Sequence, residues 1–290
     1  MVKIIYSILQ KFLTKSRLKQ VKKQYNNVKQ IVLGRNKSVD LENILRNRMN
    51  IQKGDTVFVH SSVEKLNIDF EPSVVFQLLL DIVGKEGTVL FPCWHFKTRA
   101  EEYLSKTHKT FDVRKTRSRM GYLTEFARLQ KNSVRSLHPI NSIVAIGSDA
   151  ENIVNEHNKD IYPCGVKSPF YKMLNYNAKI IGLGVDVDNM SFLHCVEDVE
   201  NDIFPLKTRS EEVYSEPVIS ASGKEIVVDV LIPSEQISKR NPKTFFSKYI
   251  TSDICIRFKK RGAEFFCADS VKLYDKLSEL HKRGITIYNS

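Results

Sequence analysis

The chain has 290 residues and a formal net charge of +12. It is long enough to bury a large α/β core, and it holds no apolar run near the eighteen or so residues a membrane span needs. The charge is uneven: Lys3, Lys11, Lys15, Arg17, Lys19, Lys22, Lys23, Lys29, Arg35 and Lys37 all precede the first acid, Asp40, so the body is nearly neutral and lacks the basic stripe of a nucleic-acid-binding domain.

Residues 2–13 place Ile4, Ile5, Ile8, Leu9, Phe12 and Leu13 on one helical face. Gln10 and Lys11 break the apolar run, and no small-residue cleavage site follows, so a signal peptide is not expected. Residues 1–39 are read as a basic amphipathic helical extension. It is expected to lie on an anionic membrane surface, or to pack on the body or on a second copy in a homodimer. The five cysteines, Cys93, Cys164, Cys195, Cys255 and Cys267, are dispersed without CxxC spacing. They fit reduced thiols of a cytoplasmic protein, peripheral to the membrane at most.

Residues 40–290 read as one enzyme domain. Asp40 is expected to cap a helix to about Asn50. Residues 55–60 (DTVFVH) and 87–91 (GTVLF) read as strands around a helix that Pro72 starts and Gly84 ends. Residues 97–119 read as a long polar loop or lid. A helix over 120–130, a strand over 142–146, a helix over 149–157 and a helix opening at Ser168-Pro169 come next. A buried strand over 179–185 and a helix over 191–199 follow. Two strands, 211–219 and 224–232, meet at Ser222-Gly223 as an inserted hairpin. The tail reads helix 244–250, strand 254–258, helix 270–281 and strand 285–288. Strand–helix alternation of this kind implies an α/β fold.

Three segments could carry chemistry. His60-Ser61-Ser62 ends the first strand, where α/β folds expose hydroxyls and backbone N–H groups to ligands; alone it is equally a capping turn. Arg135 and Ser136 suit a phosphate, and Pro139 fixes the backbone at His138; alone they fit a surface Arg and a core His. In GLGVDVDNMSFLHCVED (182–198), a glycine turn and Asp186 and Asp188 precede a helix on which His194 and Glu197 share a face. The imidazole could take a proton from an amine while Glu197, or Asp188 across the turn, orients the ring. The same residues with His138 could instead hold a metal.

In order along the chain, GDTVFVHSSVEKL (54–66), VGKEGTVLFPCW (83–94), residues 111–147, GVKSPFYKML (165–174) and GLGVDVDNMSFLHCVED resemble the aminoglycoside 3-N-acetyltransferase family. The resemblance implies a single-domain α/β sandwich distinct from the GNAT fold. It further implies acetyl-CoA as donor, no metal, and direct transfer to an amine of an amino sugar. By position in these motifs, His194 matches the catalytic His and Glu197 the carboxylate one turn on, with Asp188 as the alternative partner. His60, Ser61, Ser62, Arg135, Ser136, His138, Ser168 and Ser191 are assigned to the coenzyme. Glu64, Glu197 and Asp198 are assigned to the acceptor, and the acidic group that continues to Glu200 and Asp202 would attract a cation. The basic extension and a C-terminal third unlike the family point away from an antibiotic. The acceptor is expected to be an aminoglycoside or, in better accord with these departures, a nucleotide- or lipid-linked sugar of surface polysaccharide synthesis. The alternatives are a metal-dependent deacetylase using His138, His194 and Glu197, and a non-catalytic membrane-associated scaffold.

Overall fold

The computed structural model describes residues 34–106 and 110–289, with isolated positions between 14 and 33. The apolar face from Ile4 to Leu13, and with it the docking of the extension, lies outside the described residues.

A seven-stranded mixed sheet forms the centre. In chain order its strands are β1 (Thr56–Ser61), β2 (Thr88–Pro92), β4 (Val134–Arg135), β5 (Ile143–Gly147), β6 (Lys179–Leu183), β9 (Cys255–Lys260) and β10 (Ala263–Asp269). The spatial order is β4-β5-β2-β1-β6-β10-β9. Only β2, β1 and β6 run parallel; the flanking pairs are antiparallel. Both faces of β1 are covered, as a central parallel strand requires. Phe58 and Leu90 face a core shared with Phe170, Phe192 and Phe266. Val57, Val59, Val89 and Phe91 face the other core, against Leu79, Ile82 and Leu123. The helix Pro72–Val83 supplies that second core. It starts on Pro72 and stops at Gly84, whose φ of 66° is natural only for glycine.

A second sheet stands apart, in the order β3-β7-β8. The expected hairpin is its main part: β7 (Arg209–Ile219) and β8 (Glu225–Pro233) pair antiparallel. The segment expected to be a loop supplies the rest. It contains a helix, Ala100–Lys106, and β3 (Phe111–Asp112), which pairs parallel with β7. Ala100, Leu104, Phe111 and Val113 bury themselves with Val218, Val228 and Val230 in a third core. Its apolar residues are too sparse to show a period, and only the hairpin gives them a surface to cover.

Other expectations shift. Asp40 is not the N-cap but sits three residues inside the helix Ser38–Asn43, where its carboxylate accepts the Lys37 amide at 3.0 Å. Residues 285–288 form no strand; Thr286 and Asn289 close a turn there instead. The strand β10 was not expected. It follows a two-residue turn in which Arg261 (φ 45°) and Gly262 (φ 75°) both adopt the left-handed region that tight hairpins need.

Candidate active site

Because β2, β1 and β6 are parallel, their C-terminal ends emerge at one edge. His60 pairs with Gly182 and Ser61 with Leu183 across that edge. Gly182 and Gly184 are dictated by space. A Cβ on Gly182 would lie 2.2 Å from the Phe266 ring, and one on Gly184 (φ 74°) would lie 2.6 Å from the Leu66 nitrogen. The chain then passes through two 3-10 turns, Val187–Asn189 and Ser191–Leu193, into the helix α8 (His194–Val199).

Two cavities open at this edge. The smaller, about 260 Å³, includes His60, Ser61, Thr124, Asp188, Asn189 and Ser191 in its lining. The larger, about 610 Å³, includes His194, Asn141, Lys97, Arg99, Arg209 and Ile237. Trp94, Met120 and Arg240 line both, so the two share a wall. Among the described residues, the buried indole N–H of Trp94 meets no hydrogen-bond partner.

His194 is 6% exposed. Its Nδ1 lies 2.8 Å from Glu197 Oε2, and its Nε2 lies 2.9 Å from Arg240 Nη1. A guanidinium can only donate, so Nε2 is the acceptor and the ring proton sits on Nδ1, donated to Glu197. The other oxygen of Glu197 accepts from the Tyr288 hydroxyl at 2.9 Å. Burial, and then Glu197, push the Tyr288 phenol well above its ordinary range, so it stays a donor. Arg240 also donates to the Asp188 carbonyl at 3.2 Å. The array Tyr288–Glu197–His194 fixes ring orientation and tautomer and leaves one basic lone pair directed at the wall between the cavities. Glu197, not Asp188, therefore orients the ring. Asp188 turns its carboxylate to Lys243, with Nζ 3.4 Å away.

His60 is set differently. Its Nε2 accepts the Ser191 amide at 3.1 Å and lies 2.9 Å from the Ser191 hydroxyl. Among the described residues, it makes no ion pair. Burial pushes its pKa down to about 3. It clips β1 to the segment after β6.

Several assigned residues are placed elsewhere. Arg135 faces inward: its guanidinium donates to the Thr116 carbonyl (2.6 Å), the Cys93 carbonyl (2.5 Å) and the Ser142 hydroxyl (3.1 Å), over the Phe111 ring. Ser136 Oγ accepts the Ile143 amide and meets His157 Nδ1. His138 is fully buried, stacked on His157 at 4.3 Å, with Nδ1 accepting two backbone amides. Ser168 caps the helix Pro169–Lys172. Ser62 precedes the short helix Val63–Leu66 and Glu64 stands exposed on it. None of these lines either cavity.

Of the acidic group, Glu197, Asp198 and Glu200 are engaged within the fold and Asp202 stands exposed. Asp198 is 1% exposed, with both oxygens on Arg209 at 2.6 and 2.8 Å and the Cys164 amide at 2.8 Å. Glu200 holds His281 and Lys282. For the metal alternative, His138 is not gathered with His194 and Glu197. Among the described residues, no three His, Cys, Asp or Glu side chains are placed to hold an ion.

The family model for aminoglycoside 3-N-acetyltransferases matches residues 58–279. The chain belongs to this family. Aminoglycoside N(3)-acetyltransferase IX of Micromonospora chalcea is 23% identical over 184 residues, 59% of this chain and 64% of that protein. A prophage-derived aminoglycoside N(3')-acetyltransferase-like protein of Bacillus subtilis is 28% identical over 165 residues, 51% and 60%. The chain thus matches less than two thirds of the length of these two relatives. The crystal structure of aminoglycoside acetyltransferase AAC(3)-Xa superposes with a TM-score of 0.74 at 22% identity, covering 91% of this chain and 99% of that one. AAC-IIIb in binary complex with CoASH superposes at 0.71 and 20% identity, covering 87% and 98%. The likeness establishes the α/β fold of the family, as the motifs led one to expect.

Arg240 and Tyr288 had no signal in the sequence. Arg240 sits between a 3-10 turn and the helix α9 (Pro242–Tyr249). Tyr288 lies almost at the C-terminus. A hydrogen bond of 2.7 Å from the Asn241 amide to the Ile287 carbonyl ties their two segments together, which only the folded chain reveals.

Proposed function

We propose that the protein transfers an acetyl group from acetyl-CoA directly to an amine of an amino sugar. The observation that carries this reading is the buried Tyr288–Glu197–His194 array at a cavity wall. An acceptor amine takes the place of Arg240 at Nε2 and gives up its proton there. The nitrogen lone pair attacks the thioester carbonyl, the C–N bond forms, the C–S bond breaks, and the coenzyme leaves as a thiolate that takes the proton held by His194 to become the free thiol. Glu197 stabilises the imidazolium that builds up. Ser61, Thr124 and Asn189 in the smaller cavity match the amides of a pantetheine arm. Family membership supports the same chemistry.

The experiment is a free-thiol assay with acetyl-CoA, with and without amine acceptors, followed by product mass. Acceptor-dependent thiol release, with one acetyl group gained by the acceptor, is the expected result. Release that ignores the acceptor, or none at all, overturns the reading. We also assign the basic extension to contact with an anionic surface through the part that precedes Asn36, which is itself buried against Leu66; ten basic residues and no acid in residues 1–39 support this.

A further inference from the structure

The large cavity beside His194 is lined by Lys97, Arg99, Arg209 and Arg240 and by no carboxylate. The smaller cavity contains one, Asp188, and Lys243 holds it. The carboxylates nearest the base are consumed: Glu197 by His194 and Tyr288, Asp198 by Arg209. Whichever cavity receives the coenzyme, the other offers a polycationic acceptor no free negative charge.

Arg240 adds a second observation. Its guanidinium meets a neutral ring nitrogen and a backbone carbonyl, and among the described residues it makes no ion pair. A half-buried guanidinium without an anion is poised for one. Arginine is the side chain best matched to phosphate, through two parallel N–H donors. In this position it also occupies the lone pair of the base.

Building on the acetyltransferase reading, we infer that the acceptor is an amino sugar carrying a phosphate or diphosphate ester, and that Arg240 reads that group. Engaging the phosphate draws Arg240 off His194 Nε2 and frees the lone pair for the amine. Lys97 and Arg99 are exposed at the mouth; Lys97 steers the anion in, while Arg99 shares its charge with the exposed Glu235, 3.5 Å away. Arg209, neutralised by Asp198, contributes shape and donors rather than charge. Trp94, Phe96 and Ile237 supply apolar faces for a sugar ring. A cleft lined by one sign of charge accelerates capture of the opposite charge by roughly 10- to 1,000-fold. The polycation is rejected by the same field.

The test measures kcat/KM in the thiol-release assay with one amino sugar in three forms (neutral, 1-phosphate, nucleoside diphosphate) and with a polycationic aminoglycoside. The phosphorylated forms should exceed the neutral sugar by roughly tenfold or more, with an advantage that shrinks as salt rises. Preference between 1-phosphate and nucleoside diphosphate then separates a sugar phosphate from a nucleotide sugar. The exposed pair Lys97→Glu with Arg99→Glu should raise the KM of the phosphorylated acceptor and not that of acetyl-CoA. If the KM of acetyl-CoA rises instead, the basic lining serves the coenzyme and the inference falls. Acetylation of the neutral sugar or the aminoglycoside at least as well as the phosphorylated forms overturns this inference and leaves the transferase reading intact. No thiol release with any acceptor overturns both.

Discussion

Two histidines stand at the same edge of the sheet, His60 near the end of β1 and His194 at the start of α8, each lining a cavity in opposite surroundings. His60 Nε2 meets the amide and hydroxyl of Ser191, its ring packs edge-on against Phe58, and burial pushes its pKa down to about 3. His194 has a carboxylate on one nitrogen and a guanidinium on the other. An imidazole is a useful base only where the cation it becomes is stabilised. Both rings reach a cavity, and of the two it is His194 whose Nδ1 meets a carboxylate.

Replacing each histidine by alanine breaks this comparison most directly. His194→Ala should lower kcat by roughly 10²- to 10⁴-fold, the scale of a lost general base, with the KM for acetyl-CoA little changed. His60→Ala should lower kcat by no more than about tenfold, but should destabilise the fold by roughly 2–4 kcal/mol, because it leaves a gap and an unpaired Ser191 amide. Steady-state kinetics and denaturant melts on both variants decide the matter. A dead His60→Ala enzyme of normal stability would reverse the two roles.

The partners sharpen it further. Glu197→Gln keeps the shape but removes the charge that holds the imidazolium, so kcat should fall by roughly a hundredfold or more. Tyr288→Phe removes one hydrogen bond from that carboxylate and should slow turnover by about tenfold at most. A Tyr288→Phe loss equal to that of Glu197→Gln would show that the phenol itself acts on substrate.

Arg135 and Arg240 repeat the contrast. Arg135→Met strips donors from two buried carbonyls and should destabilise the protein by roughly 2–4 kcal/mol, with the KM for acetyl-CoA unchanged in the folded fraction. A raised KM with normal melting would return Arg135 to the coenzyme.

A further effect, on stability alone, comes with pH. Burial lowers His60 to about 3, His95 to about 4 and His157 to about 3, and it takes His138 well down. The folded state keeps these rings neutral, while the unfolded chain protonates them below about 6.5. Their contribution is therefore full above pH 6.5 and is lost as pH falls toward 4, by about 1.4 kcal/mol per pH unit for each ring that stays neutral. Denaturant melts at pH 7, 6 and 5 should show stability falling with increasing steepness. A flat profile would mean that some of these rings reach a proton acceptor.

Much of this molecule follows from local pattern. The β1 run from Thr56 to Ser61, the Pro72 and Gly84 helix signals, the Ser222-Gly223 turn and the His194–Glu197 spacing all depend on residues a few positions apart. Local sterics and helical geometry act over that range, so their reading survives in the structure. The failures have the opposite character. Nothing near Arg135 shows that its guanidinium will be used up by carbonyls at Cys93 and Thr116. The spacing of Asp198 does not reveal Arg209 folded over it. Arg240 and Tyr288 reach the site from 46 and 91 residues away, measured to His194 and Glu197. A side chain's chemistry is set by its type, but its freedom to use that chemistry depends on which donors and acceptors the remote chain brings against it. For that reason the sequence determined the α/β framework and the pairing of His194 with Glu197 on one helical face, and only the tertiary structure decided which carboxylate meets the ring, which arginine faces it and the sign of charge around it.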